Sequence, residues 1–248
     1  MITLRVLTYN IHKGLHHLRS DLILESIRDT LRQSHADVLF LQEVVGEHRE
    51  YEKHFNNWPL VPQFEYLADE VWSHYAYGKN AVTSLSHHGN AILSKFPIQS
   101  FENIDISTNR RERRGILHAK ILLPECDKTI DLMNLHLNLL HSGRYLQLER
   151  LVDRVKKNVP QDQPLIIGGD FNDWPNKLSK PISHSLGMEE VFLHSEGGCA
   201  RTFPSFMPVL KLDRIYFRNL RVKSAMRFSG RPWSQLSDHL AIAADFEI

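Results

Sequence analysis

The sequence predicts an α/β protein built from mixed, helix-flanked sheets in one domain. Three observations lead there. Strand-like segments outnumber helical ones and often follow one another directly, which favours mixed sheets with helices packed outside them. The chain has 248 residues, 42% of them apolar and 24% charged, enough to bury a sizeable core. No fixed-period repeat, low-complexity tract or linker-like shift divides it, and α/β folds of this length commonly form one unit.

Ile2 to Tyr9 is rich in β-branched and aromatic residues, which predicts a strand ending in the polar turn Asn10-Ile-His-Lys-Gly14. Ser20-Asp21 has the chemistry of a helix N-cap, and Leu22, Ile23, Ile27 and Leu31 form a helical stripe to about Ser34. Asp37 to Glu43 reads as an apolar strand whose last residue is a carboxylate. Residues 46–85 give a mixed signal: Tyr66-Leu67 and Val71-Trp72 have helical spacing, and His74 to Tyr77 suits a short strand. Asn90 to Ser94 is a strand stopped by Pro97, and Ile98 to Ile106 a further one. Gly115 to Leu123 and Thr129 to Leu137 alternate well about a turn at Pro124 to Lys128. From Ser142 to Lys157, Leu148, Leu151, Val152 and Val155 share a helical face, and Lys156 and Lys157 suit its C-terminal end. Pro164 to Gly169 is an apolar strand too short for a helix. Trp174 to Pro208 is loop-rich, and Leu212–Phe217, Leu220–Phe228 and His239–Phe246 finish as strands.

Chemistry concentrates at Gly168-Gly-Asp-Phe-Asn-Asp173. The two glycines leave room for a ligand near the backbone. Asp170 can take a proton or hold a cation, and Asn172 can donate and accept hydrogen bonds without charge. An ordinary Asx-rich turn has the same letters. The strand ends taken together carry more weight. Asn10, Glu43, His136 and Asp170/Asn172 each end a strand, Asp213 begins one, and Ser237-Asp238-His239 precedes the last. Ligands of open α/β sheets bind beyond the carboxyl ends of strands. Carboxylates without thiolates favour a hard cation, Mg²⁺ or Mn²⁺. Two histidines with carboxylates can also hold zinc, although no His-x-x-x-His or Cys-x-x-Cys spacing supports a zinc cage. His16-His17 and His87-His88 are adjacent pairs whose side chains point in different directions on a helix or a strand, and most of the 15 histidines read as surface residues.

Several classes lose support. There is no Gly-x-Ser-x-Gly elbow, P-loop or dinucleotide fingerprint. A formal net charge of +1 predicts no strong global attraction to nucleic acid or anionic membrane, though a local basic cleft is compatible with it. Cys126 and Cys199 are too few for a disulfide scaffold and fit a reducing compartment. No apolar run approaches the ~20 residues needed to span a bilayer. The expectation is a soluble cytoplasmic monomer without stable membrane insertion.

The ordered set Thr8-Tyr9-Asn10, Leu41-Gln42-Glu43, Asn90-Ala-Ile-Leu-Ser94, Asn134-Leu-His136-Leu, Gly169-Asp-Phe-Asn172, Leu212-Asp213-Arg214-Ile215 and Ser237-Asp238-His239 resembles the endonuclease/exonuclease/phosphatase superfamily. It spans residues 8–239, and the overall pattern is most similar to the small stand-alone bacterial members. The resemblance implies a deoxyribonuclease-I-like fold: a two-sheet, mostly antiparallel β-sandwich with helices on both outer faces, as a single domain over 1–248. It also implies a divalent-metal phosphodiesterase site at one rim. There Glu43 would be the principal metal ligand, with Asn10 beside it and Asp238 as a second metal-side carboxylate. Asp170 would orient and deprotonate the attacking water, and Asn172 would hold a phosphoryl oxygen. His239, its ring fixed by Asp213, would donate to the phosphate, and His136 would be the other phosphate-facing histidine.

The substrate is less legible. Arg110, Arg111, Arg113 and Arg114 form the one dense basic cluster, either a solvated loop or a clamp on flanking phosphates. Lys13, Lys79, Lys211 and Arg214 are weaker additions. Trp58, Trp72, Trp174 and Trp233 can stack bases or sit on lipid, and at least half read as core or loop anchors. Trp174 follows the Gly-Asp-Phe-Asn turn and has the best claim to the cleft; Asn90 joins it through the resemblance. Gly-Asp-Phe-Asn is similar to the deoxyribonuclease and sphingomyelinase branches. Leu212–Ile215 resembles part of the inositol-polyphosphate phosphatase signature, whose cysteine and upstream Pro-x-Trp are missing. The expected activity is phosphodiester hydrolysis by in-line attack of an activated water, on nucleic acid first. A phospholipid or small phosphate ester is the alternative, and a non-catalytic binding scaffold the third reading.

Overall fold

The structure is a computed structural model that describes residues 2–16, 19 and 21–248. In chain order its strands are β1 (Thr3–Asn10), β2 (Val38–His48), β3 (His74–Val82), β4 (Ser86–Ser94), β5 (Ile98–Asp105), β6 (Gly115–Leu123), β7 (Lys128–His136), β8 (Leu165–Asp170), β9 (Glu189–Glu190), β10 (Asp213–Arg218), β11 (Arg221–Arg227) and β12 (Ile242–Glu247). They form two six-stranded sheets, ordered β11-β12-β1-β2-β4-β3 and β5-β6-β7-β8-β10-β9. Each sheet has one parallel pair, β1 with β2 and β7 with β8, and is otherwise antiparallel. The helices are α1 (Leu24–Gln33), α2 (Arg49–His54), α3 (Gln63–Ala68), α4 (His141–Asn158), α5 (Ser179–Leu186), α6 (Val191–Glu196) and α7 (Trp233–Leu236). None is long and apolar enough to cross a membrane.

Stretches of the central strands, Val38–Leu41 of β2 and Leu165–Ile167 of β8, are continuously apolar because both of their faces are buried. Successive side chains point to opposite faces, so Val6 enters the core between the sheets while its neighbour Leu7 packs outward. Between the sheets, Val6, Phe40 and Ile92 meet Leu132, Ile166 and Ile215. On the outer face of the first sheet, Ile27 and Leu31 of α1 and Leu67 of α3 cover Leu7, Leu39 and Leu93. On the other outer face, Leu148, Leu151 and Val155 of α4 and Ile182 of α5 cover Met133, Leu135 and Ile167. Each such side chain, fully buried, contributes about 1.5–3 kcal/mol.

Parallel neighbours need a crossover, and here the helices α1 and α4 supply it. Both crossovers return the chain to the same end of the sandwich. Asn10 pairs with Gln42, His136 with Asp170, and the antiparallel start of β10 sets Asp213 against Asp170. The strand ends therefore converge on one rim.

Several boundaries differ from expectation. Ser20 lies outside the described residues, and α1 begins at Leu24 with Ile23 at its N-cap and no side-chain cap. β2 does not end at Glu43 but runs to His48, across a pairing irregularity between Leu41 and Val44. Asn90 sits inside β4, which begins at Ser86. Val71-Trp72 falls outside α3, which is ended by the positive φ (43°) of Asp69. The stretch 174–208 holds α5, β9 and α6 as well as loops. The glycines before Asp170 serve packing rather than ligand access. A Cβ on Gly168 would collide with the Phe40 ring of the facing sheet, and one on Gly169 (φ 142°) with the Leu135 carbonyl oxygen of β7.

Candidate active site

The first sheet contributes Asn10 and Glu43. In β2, Leu41 faces Ala91 and Val44 faces Gly89, so Gln42 and Glu43 together oppose Asn90. That extra residue is a bulge. Glu43 takes φ 57°, a left-handed conformation that costs a non-glycine residue energy and recurs at functional sites. The bulge separates the two neighbours' roles. Gln42 turns inward and donates to Thr8 Oγ1 (3.1 Å) and Asn134 Oδ1 (2.8 Å). Glu43 is half-buried, with Oε1 3.4 Å from Asn10 Nδ2. Asp238, also half-buried, lies 3.4 Å from His12 Nδ1 and accepts from Ser237 Oγ at 3.2 Å. Ser237 Oγ also donates to the Asn10 carbonyl (2.7 Å), tying the loop before β12 to the end of β1.

The second sheet contributes Asp170, His136 and Asp213, all buried. Asp170 Oδ2 is surrounded by Asn10 Nδ2 at 3.3 Å, His136 Nε2 at 3.4 Å and His239 Nε2 at 3.7 Å. Its Oδ1 accepts the Asn172 amide at 2.9 Å, and Asn172 Nδ2 donates to the Leu137 carbonyl at 2.9 Å. Asp213 Oδ2 sits 2.9 Å from His239 Nδ1, while its Oδ1 has no hydrogen-bond partner.

Burial pushes the Asp170 carboxyl up to about 6; the His239 charge opposes this and the Asp213 charge adds to it. For His239, burial favours the neutral ring, but Asp213 and Asp170 outweigh it and hold the imidazolium up to about 10. Burial, with help from Arg114 and His239, pushes His136 well below its ordinary value. The site thus contains one charged imidazole, one neutral one, and a carboxyl that titrates near neutrality.

Two oxygen-rich sets are candidates for a cation. Asp170, Asp213 and His239 bring potential ligand atoms within 4.8 Å of one another. In this set His239 Nδ1 is already engaged by Asp213 at 2.9 Å, and its Nε2 lies 3.7 Å from Asp170 Oδ2. Glu43, Asn10 and Asp238 offer two half-buried carboxylates and an amide, the donor chemistry of a hard cation. No Lys or Arg among the described residues lies within ion-pairing distance of Glu43. A divalent cation fits this side.

The remaining expected residues divide. Asn90 is buried and donates to the carbonyls of Gly115 (3.0 Å) and Asn134 (3.4 Å), as a strut between the sheets. Arg114 is half-buried, and its charge acts on His136 and His88, which places it at the site. Arg111 and Arg113 are exposed on the preceding loop; the Arg113 charge reaches Asp105. Trp174 is exposed, its ring 4.8 Å from the Arg144 guanidinium. Lys13 acts on His88 and Lys79 on His87, whereas Arg214 is buried and donates to the Asp213 and Asp173 carbonyls. Trp72 and Trp233 belong to the core. Sequence reasoning missed three neighbours. His12 touches Asp238. Arg144 is buried and acted on by Asp173 and Asp170. His88 is lowered to about 4 by burial and Lys13, against Glu43. Its spacing of two from Asn90 on one strand was the available signal.

Residues 7–239 match the model of the Endonuclease/Exonuclease/phosphatase family. The uncharacterized protein YbhP of Escherichia coli (strain K12) is 41% identical over 244 residues, covering 98% of this chain and 96% of its own. The endonuclease/exonuclease/phosphatase structure from Beutenbergia cavernae DSM 12333 superposes with a TM-score of 0.78 at 17% identity, over 100% of this chain and 72% of that one. D. rerio TDP2 complexed with single strand DNA product gives 0.71 at 18% identity, over 100% of both chains. These structures share the fold.

Proposed function

Since this chain belongs to the endonuclease/exonuclease/phosphatase family, we propose that the rim site hydrolyses a phosphodiester by in-line attack of water, with a divalent cation held by Glu43, Asn10 and Asp238. The observation that carries this reading is the placement of Asp170 between His239 and Asn10, with Asp213 behind His239. When bound, Mg²⁺ or Mn²⁺ would supply Lewis-acid neutralisation of charge on the phosphoryl oxygens. Asp170, pushed up to about 6, is matched to accept a proton from water near neutral pH. His239, charged and oriented by Asp213, donates to a phosphoryl oxygen as charge builds there, a role worth on the order of 10²–10³ in rate per donor. Asn172 has one amide hydrogen on Leu137 and a second for a phosphoryl oxygen. His136, neutral, faces the same space through Nε2.

Two substrate classes suit such a site. Nucleic acid is supported by Arg111, Arg113 and Arg114 and by the fold shared with TDP2, which was captured with a DNA product. A phospholipid diester is supported by the exposed apolar side chains of Leu139, Leu140, Phe206 and Met207, on the loops after β7 and before β10. The test is a metal-supplemented panel of single-stranded DNA, RNA, phospholipid vesicles and bis(p-nitrophenyl) phosphate, with Asp170→Ala and His239→Ala as blanks. Turnover that needs metal and vanishes in both blanks is expected; turnover retained in both overturns the mechanism.

A further inference from the structure

The loops around the site expose large apolar side chains, aliphatic and aromatic, where solvated turns ordinarily carry polar ones. Leu139 and Leu140 follow β7, Trp174 follows β8, and Phe206, Met207 and Val209 form the tip of the loop before β10. Leu140 and Phe206 are each 68% exposed. All three loops leave the sheet at the end where His136, Asp170 and Asp213 meet.

These tips are fastened to the chemistry. Ser205 donates its amide to the Asp238 carbonyl and its hydroxyl to the Ser237 carbonyl, both at 2.7 Å, and the Phe203 ring lies 5.0 Å from that of His239. Across the site, the Leu139 amide donates to Glu112 Oε1 (3.3 Å) and Asn138 Nδ2 to Thr108 Oγ1 (2.6 Å). The arginine loop therefore shares the flank of Leu139 and Leu140. Glu112 faces Arg114 at 3.7 Å. Arg110, Arg111 and Arg113 are exposed and, among the described residues, have no carboxylate within ion-pairing distance.

We propose that this rim docks on an anionic lipid surface, the Leu139-Leu140 and Phe206–Val209 tips entering the headgroup boundary while Arg110, Arg111 and Arg113 face lipid phosphates. The phosphodiester of a lipid headgroup is then delivered to Asp170, a step that rests on the hydrolytic reading above. The chemistry of the tips decides between partners. Bases bind single-strand proteins through stacking on π-faces; Phe206 and Trp174 offer such faces, but Leu139, Leu140, Met207 and Val209, the majority of the tips, do not. Alkyl groups gain by leaving water for acyl chains, and tryptophan favours the interface. Basic residues beside such tips add attraction to anionic headgroups. A docked loop of this kind needs no membrane-spanning helix.

The test is co-sedimentation of Asp170→Asn protein, which spares the lipid, with vesicles of phosphatidylglycerol and phosphatidylcholine, of phosphatidylcholine alone, and with a thymidine oligonucleotide. Wild-type hydrolysis of bis(p-nitrophenyl) phosphate and of the same vesicles is measured in parallel. Binding to the anionic vesicles is expected, weakened roughly fivefold by each of Arg111→Gln and Arg113→Gln. Replacing Phe206 and Met207 together by Glu, or Leu140 by Glu, should weaken it more than about tenfold with the thermal midpoint retained. Phe101→Glu, on β5 four residues from the rim, should leave it unchanged. Absence of vesicle binding by protein that hydrolyses the chromogenic diester sinks the docking surface and leaves the hydrolase. Vesicle binding without hydrolysis of either diester supports the surface and sinks the hydrolytic reading. Oligonucleotide binding that the Phe206/Met207 change weakens, without vesicle binding, overturns the proposal in favour of nucleic acid.

Discussion

The two halves of the site are built alike and finished differently. Each comes from a strand, a crossover helix and a parallel strand: β1-α1-β2 supplies Asn10 and Glu43, and β7-α4-β8 supplies His136 and Asp170. On the first-sheet side the carboxylate is half-buried, rests on a bulge with positive φ and has one 3.4 Å contact to an amide. On the second-sheet side the carboxylate is buried and surrounded by two imidazoles and a backbone amide. On the proposed reading, this difference suits the first half to a cation and the second to proton transfer.

Substitution on the two sides should therefore fail in different ways. His239→Ala removes a donor with no substitute, so kcat on a soluble diester should fall by roughly 10²–10³ or more at any metal concentration. Glu43→Gln keeps the size and loses a charge at the cation side. Its activity should recover substantially in excess Mg²⁺ or Mn²⁺, with the half-activating concentration raised at least about tenfold. Metal titrations of both variants check this. A Glu43→Gln loss that no metal concentration rescues, or a His239→Ala loss that metal restores, would erase the distinction between the halves.

A smaller effect sharpens the proton side. Asp213 is the strongest of the charges raising His239. In the wild type, kcat/KM should rise as Asp170 loses its proton near pH 6 and fall as His239 loses its own near pH 10. Asp213→Asn should bring the alkaline fall to lower pH, because the imidazolium loses its main partner. An alkaline limb that does not move would take Asp213 out of the pair.

Much of this was legible in the sequence, and the parts that were not share a cause. β6, Gly115–Leu123, matches its expected bounds because strand alternation is a local property. The helical stripe at Leu148, Leu151 and Val155 likewise marks α4 to within a residue or two. Asn10, His136, Asp170, Asp213 and His239 stood out as polar residues at strand ends. Glu43 was found, but as a strand end. Its bulge exists only in the pairing with β4, and pairing is not written in either strand alone. His12, His88 and Arg144 belong to the site through their neighbours in space, so composition and spacing gave them little prominence.

The smallest effect tests the cost of the buried half directly. Asp170 has an ordinary value of 3.8 that burial raises to about 6 in the fold. Between those values the folded protein holds a proton that the unfolded chain has released, so this carboxyl contributes stability at low pH and loses it as pH rises through about 6. Above that, the fold carries a buried charge beside Asp213. Asp170→Asn keeps an oxygen for the Asn172 amide and removes the charge. With metal chelated at pH 7.5, it should therefore raise the thermal midpoint by a few degrees while abolishing hydrolysis, and the gain should shrink toward pH 4. Melting curves across that range decide it. A variant less stable than the wild type at pH 7.5 would mean that His239 and Asn10 gain more from the Asp170 charge than its burial costs.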